Sequence, residues 1–355
     1  MYQFFFDLTG NVIISTLAVA LVPLICVLLV TLFGVWLERK VSAWMQDRVG
    51  PNRIGPYGIF QCVADFVKML QKEDAVSAEV DGILYNIAPV LVFAGSFAAF
   101  AVIPFAATIV GSDIQVGLFY MLAVSSFVVA GILMGGWSSN NKYSLLGSMR
   151  SVAQIISYEI PTALVVLSMV MLTGTLSLTQ ISELQTGHFW HWNIFGGPGW
   201  ELSKFLLIPF MVVGFIIIFI STLAEVNRTP FDIPEAESEL VAGYFTEYCG
   251  MKYGMFMLAE YGNMFAVSLL VSILFFGGYQ SPVGYLGKTF GIEWLVSLEQ
   301  FGWFFAKGWF FIFVQMWLRW TLPRLRVDQL MTLCWKYLIP YAVINLIIIG
   351  IISLL

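Results

Sequence analysis

Charge is scarce in this chain. Asp, Glu, Lys and Arg together supply 11% of its 355 residues, while 59% are hydrophobic. That balance, with a mean hydropathy of +0.85, excludes a soluble globular domain or a disordered chain and identifies an integral membrane protein. Cysteine is nearly as sparse: Cys26, Cys62, Cys249 and Cys334 stand far apart, with no CxxC. They supply neither a disulfide framework nor an iron–sulfur ligand set, and most of them read as small buried apolar residues. His188 and His191 are the only histidines, spaced i, i+3 in an aromatic-rich loop, where interfacial packing is a better account than metal ligation. GxGxxG, the P-loop and CxxCH are all missing. The chain is therefore expected to bind no metal, flavin or nucleotide, and any catalysis must be shared with a partner. A formal charge of −5 in so apolar a chain gives no sign of nucleic acid.

What the chain has in abundance is uncharged runs long enough for a bilayer core of about 30 Å. They fall near 12–37, 86–108, 114–137, 153–180, 204–224, 253–277, 301–321 and 337–355. The expected fold is all-α, a single transmembrane domain over 1–355 with about eight spanning helices. The first run follows no basic segment and is too long for a signal-peptide core, so it is expected to remain as a helix. Four polar loops, 38–85, 138–152, 225–252 and 322–336, with Arg319 just before the last, carry every basic residue except Lys204, Lys288 and Lys307. By the positive-inside rule these loops face the cytoplasm and both termini face outward. The outer loops 181–203 and 278–300 contain Trp190, Trp192, Trp200 and Trp294, which read as the interfacial belt.

The first inner loop is more than a tether. Gly58–Asp74, GIFQCVADFVKMLQKED, places Phe60, Val63, Val67 and Leu70 on one helical stripe, with Gln61, Asp65, Lys68 and Lys72 on the other side. That pattern predicts an amphipathic helix lying in the interface. Ahead of it, DRVGPNRIGP (Asp47–Pro56) has the Gly and Pro content of a compact turn.

Against this background the stretch Ala224–Tyr248, AEVNRTPFDIPEAESELVAGYFTEY, places Glu225, Asp232, Glu235, Glu237, Glu239 and Glu247 between two long apolar runs. Asp232 and Glu235 have capping-box spacing with Pro234 in the first turn, so a helix start accounts for these two and, through the macrodipole, for Glu237. Glu225, Glu239 and Glu247 need another account. Glu159 lies inside the fourth helix about seven residues from the inner end of its apolar run, roughly 10 Å deep at 1.5 Å per residue. Glu260 sits at similar depth in the sixth run, and Glu225 closes the fifth. An ionisable side chain in the bilayer costs at least about 2.5 kcal/mol and is a functional candidate by default. The alternative for each is a hydrogen-bonded structural acid, or one held by a basic neighbour. Together the three glutamates outline a proton route from the acidic loop into the membrane.

Three long segments make the reading specific. GIFQCVADFVK (Gly58–Lys68), NNKYSLLGSMRSVAQIISYEIP (Asn140–Pro161) and EVNRTPFDIPEAESELVAG (Glu225–Gly243) resemble the H-subunit family of respiratory complex I, the proton-pumping NADH:quinone oxidoreductase. Glu38-Arg39-Lys40 and DRVGPNRIGP resemble the same family, and only the outer loops lack a matching motif. The resemblance implies a translocase component that is not catalytic alone. Its inner loops would wall a quinone chamber, with ubiquinone or menaquinone as substrate. Arg39 and Asp65 would line the mouth and throat, while Asp232, Glu235, Glu237, Glu239 and Glu247 would form an acidic floor. Glu159, Glu225 and Glu260 would begin the proton route. Iron–sulfur clusters and FMN would belong to peripheral-arm partners, and antiporter-like subunits would adjoin in the membrane arm. A bacterial inner membrane is expected rather than a mitochondrial one.

Two other readings use the same residues. A component of a related ferredoxin-driven complex would share the quinone site, although the completeness of EVNRTPFDIPEAESELVAG favours the NADH-linked branch. A stand-alone proton-coupled transporter would use Glu159 and Glu260, but no inverted repeat is present and the polar residues gather at one face rather than the midplane. A plain anchor for a soluble arm would need only the inner arginines, and no glutamates inside the membrane.

Overall fold

The computed structural model describes residues 10–197, 202–234, 237–285, 287, 291 and 293–354, and the described residues form helices and turns with no strand. The main helices are α1 (Val12–Met45), α2 (Gln61–Gln71), α3 (Gly82–Ala98), α4 (Gly117–Ser138), α5 (Lys142–Thr173) and α6 (Leu178–Leu184). They continue with α7 (Leu202–Glu225), α8 (Glu237–Leu240), α9 (Gly250–Phe275), α10 (Glu293–Thr321), α11 (Val327–Thr332) and α12 (Ile339–Ser353). A π-helical turn, Leu333–Leu338, joins α11 to α12 into one span. Among the described residues, seven helices are long and apolar enough to cross a membrane. The 34-residue α1 stands beside them, apolar over most of its sequence. The chain is an all-α integral membrane protein.

α9 is the axis of the bundle. Its span is 83% buried, against 28% for the span ending in α12, and it packs on α1, α2, α3, α7 and α10. α3 packs closely on α4, where a Cβ on Gly131 would stand 2.5 Å from Val92 and 3.2 Å from the Ala88 carbonyl. Small residues permit such approach where lipid supplies no hydrophobic drive between helices.

Two prolines inside the spans, Pro161 and Pro89, leave carbonyls without their helical donors, and other elements satisfy them. Pro161 cannot donate to the Ser157 carbonyl, and Cys334 Sγ does so instead at 3.0 Å. Pro89 leaves the Tyr85 carbonyl in the same way, and Tyr248 Oη donates to it at 3.3 Å. Both repairs cross between distant parts of the chain, so they hold the bundle together as well as its helices. Cys334 is thus buried for a particular reason as well as for its size.

α5 starts well before its apolar run, because Asn141 caps it by accepting from Tyr143 N at 2.9 Å. The polar segment after Lys142 is therefore helical, and the inner loop shrinks to a turn. Lys307 Nζ donates to the carbonyls of Phe276, Gly278 and Gln280 at 2.6–2.9 Å, just past the C-terminal end of α9. It lies 4.4 Å from the Trp192 ring centroid, so this tryptophan covers a cation rather than serving only as an interfacial anchor. Gln185 ties the outer loop to α9 by donating to the Ile273 carbonyl and accepting from Gly277 N.

The acidic stretch crosses α5 at a point of backbone contact. Gly147 faces Gly243, and a Cβ at Gly147 would fall 2.7 Å from Gly243 Cα and 3.0 Å from Tyr244 N. Gly147→Ala is expected to push this crossing apart and destabilise the protein by about 1–3 kcal/mol. A lowered thermal midpoint of the purified protein in detergent checks it.

Candidate functional site

The site is built from segments of α1, α2, α5, α7 and α9 that meet around the turn after α7. Arg228, in the turn after α7, is 3% exposed and sits between two carboxylates. Its Nη1 donates to both oxygens of Glu38 at 3.1 Å, and its Nε lies 3.1 Å from Glu260 Oε1. Tyr261 Oη donates to Glu38 Oε2 at 2.7 Å, and the Tyr261 ring lies beneath the guanidinium, 4.4 Å away. Arg319 of α10 binds the other Glu38 oxygen. Burial opposes charge on Arg228, but Glu260 and Glu38 outweigh it, and its pKa stands well above the ordinary value. Asp232 is buried alongside and paired with Arg324 at 3.0 Å.

A cleft adjoins this cluster at Tyr261. Its lining includes Leu32, Val35 and Arg39 of α1, Cys62, Asp65, Phe66 and Met69 of α2, and Met257 and Tyr261 of α9. Arg39 Nη1 donates to Asp65 Oδ2 at 2.6 Å, and Gln61 Nε2 donates to Asp65 Oδ1 at 3.0 Å. Burial works against the Asp65 carboxylate, yet the Arg39 and Gln61 hydrogen bonds hold its pKa below the usual Asp range. Both partners of the pair remain partly exposed, so it adds at most about 1 kcal/mol to stability and matters for position. α2 presents two apolar faces. Cys62, Phe66 and Met69 turn into the cleft, while Phe60, Val63, Val67 and Leu70 remain exposed, as an interfacial helix requires.

A second space lies deeper, between α3, α4, α5, α7 and α9. It has a volume of about 80 Å³, room for several water molecules, and its lining includes Glu159, Glu225, Thr162, Ser125 and Asn263. Ser125 Oγ donates to Glu159 Oε1 at 2.9 Å, and Thr162 Oγ1 donates to Glu225 Oε1 at 2.6 Å. Asn263 lies one turn along α9 from Glu260, so the cavity reaches within a helical turn of the ion cluster.

The chain matches, over residues 18–350, the family described as NADH dehydrogenase. It belongs to this family. It is 52% identical over 332 residues to the H subunit of the NADH-quinone oxidoreductase of Chlorobaculum parvum, covering 92% of this chain and 89% of the relative. The corresponding protein of Brevibacillus brevis is 45% identical over 316 residues, covering 89% and 86%. A second-copy H subunit from Cytophaga hutchinsonii is 43% identical over 359 residues, covering 94% and 98%.

In this NADH dehydrogenase family member the expected residues divide into separate groups. Glu159 and Glu225 share a cavity, Arg39 and Asp65 share a cleft, and Glu260 belongs to the buried ion cluster. Glu239 is exposed and paired with Arg150 at 2.7 Å, while Glu247 accepts from Asn141 Nδ2 at 2.7 Å. These two pin the loop to α5 and stand apart from the cavity. Glu235 lies outside the described residues, as does the side chain of Glu237, and the helix in this stretch spans Glu237–Leu240. The capping box expected from Asp232 and Glu235 therefore rests partly on a residue outside those described. The residues missing from the sequence reading are Glu38, Arg228, Tyr261 and Arg319. Glu38 stands next to Arg39 and Lys40, which look like its partners, yet its cations come from 190 and 281 residues away. His191 Nδ1 lies 3.0 Å from the Thr186 carbonyl, and His188 packs on Trp190.

Glu38→Gln removes the anion that faces Arg228, Arg319 and Tyr261 together. Breaking a buried pair from one side is expected to cost about 3–5 kcal/mol. The readout is the thermal midpoint of the purified protein, compared with Glu239→Gln at an exposed pair, which is expected to change little.

Proposed function

We propose that this chain is the H-type membrane subunit of a proton-translocating NADH:quinone oxidoreductase. In this reading it walls the quinone chamber and couples quinone reduction to proton movement through buried glutamates. The observation that carries the reading is the cleft between α1, α2 and α9, apolar along its length and ending at Tyr261 beside Glu38 and Arg228. A quinone has a long apolar tail and a small polar head, and a slot with such walls and such an end suits both. Arg39 and Asp65 stand at the mouth, where a charge pair orders the passage without blocking it.

Two-electron reduction of a quinone creates demand for two protons or for nearby positive charge. Charge arising near the cleft's inner end would act on Tyr261, Glu38 and Arg228, and through Arg228 on Glu260. Glu159 and Glu225, each held by a hydroxyl in a cavity large enough for water, would register that change and pass a proton onward. Asp232 with Glu235, Glu237, Glu239 and Glu247 would border the chamber on the side of the peripheral arm. Electrons would come from an iron–sulfur cluster in that arm, where FMN also resides, and this chain would not turn over alone. Antiporter-like subunits would continue the membrane arm. The setting is a bacterial inner membrane with both termini outward, and the substrate is ubiquinone or menaquinone.

Glu159→Gln, in the intact complex, is expected to cut quinone reduction and coupled pumping by about tenfold or more while the complex still assembles. Normal turnover and pumping in that variant would remove Glu159 from the proton route. Arg39→Ala is expected to weaken the response to quinone and to quinone-site inhibitors more than electron flow from NADH to a hydrophilic artificial acceptor. Equal loss of both would mean that Arg39 supports assembly instead.

A further inference from the structure

The turn that links the cavity to the ion cluster is held from one side by a single amide. Gln154, 2% exposed on α5, has three acceptors around its Nε2: the Ala224 carbonyl at 2.8 Å, Asn227 Oδ1 at 3.1 Å and the Phe231 carbonyl at 2.9 Å. Asn227 in turn donates to Ser151 Oγ at 3.2 Å, one turn earlier on α5. Asn227 adopts φ 53°, in the left-handed region, so the chain reverses at this point while these bonds hold it. Glu225 lies between the first two acceptors and Arg228 between the last two, with Asp232 directly after the third. The carboxylate of the cavity and the cation of the cluster are therefore placed by the same side chain. Glu159 and Thr162, which complete the cavity wall, extend from the same helix.

We propose that Gln154 is a positioning residue for coupling: it fixes the turn 224–231 so that a change at Arg228 is felt at Glu225. This inference rests on the proposed function given above. Gln154 is absent from the residues lining the cleft, so it has no direct part in holding the tail or the head of a quinone. Removing its donors should let the turn relax around Asn227, moving Glu225 and Arg228 relative to each other without altering the Arg39–Asp65 mouth.

The test uses the whole complex purified from cells carrying Gln154→Met, which keeps the volume and removes the donors, together with Gln154→Glu and Asn227→Ala. In the assembled fraction, kcat for quinone reduction is expected to fall about tenfold, because small misplacements near reacting groups are costly. The quinone KM and the rate with a hydrophilic artificial acceptor should stay within a factor of two, and the ratio of protons pumped to electrons transferred should drop. The double variant Gln154→Met/Asn227→Ala should be little worse than either single change, because both hold one turn. If Gln154 is only structural, all variants yield less complex, but what assembles has normal kcat and a normal proton-to-electron ratio. That result overturns the inference. A rise in KM with unchanged kcat overturns it as well, since it would place Gln154 in quinone binding. If Gln154→Met behaves normally while Glu159→Gln is impaired, the inference fails and the proposed function stands. If both behave normally, the proposed function fails with it.

Discussion

A guanidinium inside a membrane protein must keep its counter-charges in contact, and Arg228 imposes that constraint on the elements packed around it. Its partners come from α1 and α9, and Arg319 of α10 shares one of them. Three helices and the turn after α7 are thus fixed at one point. In a medium of low dielectric, separating any of these charges from the rest costs several kcal/mol, so the helices cannot drift independently. The aromatic ring of Tyr261 covers the cation and adds a hydroxyl to the same network.

The remaining polar features are arranged around that fixed point. The cleft above it is closed by α2, whose inward face is apolar and whose Asp65 is tied to α1 through Arg39. The cavity beside it is lined in part by hydroxyls, and Ser125 and Thr162 donate to Glu159 and Glu225. Carboxylates in the two settings differ in physical character. Glu38 is paired with two arginines, whereas each cavity glutamate accepts from a hydroxyl and borders space for water. On the proposed reading this contrast separates the acids that anchor charge from those that exchange protons.

Much of this was legible in the sequence. Apolar runs gave the spanning helices because a bilayer leaves few alternatives for an uncharged run of that length. Glu159 and Glu225 stood out because a lone acid at the end of, or within, such a run has few structural excuses. The period of Phe60, Val63, Val67 and Leu70 was enough to predict α2 and its exposed apolar stripe. What could not be read was pairing between distant segments. Glu38 looked like one charge among neighbouring basic residues, and Arg228 looked like a flank of the acidic stretch. Their contact depends on how α1 and α9 pack, which no local pattern encodes. The second apolar face of α2 was hidden for the same reason, since Cys62, Phe66 and Met69 acquire a partner only in the folded bundle. The start of α5 was obscured because hydropathy follows the lipid boundary, while the helix follows its Asn141 cap.

α2 packs chiefly on α1 and α9, and its outward stripe of Phe60, Val63, Val67 and Leu70 meets none of the described chain closely enough to be buried. On the proposed reading the lipid leaflet would supply the last wall. Lateral pressure at headgroup depth would press the helix against its two neighbours and set the width of the slot between them. Leaflet composition would then be a physical variable in how readily a long isoprenoid chain threads past Arg39.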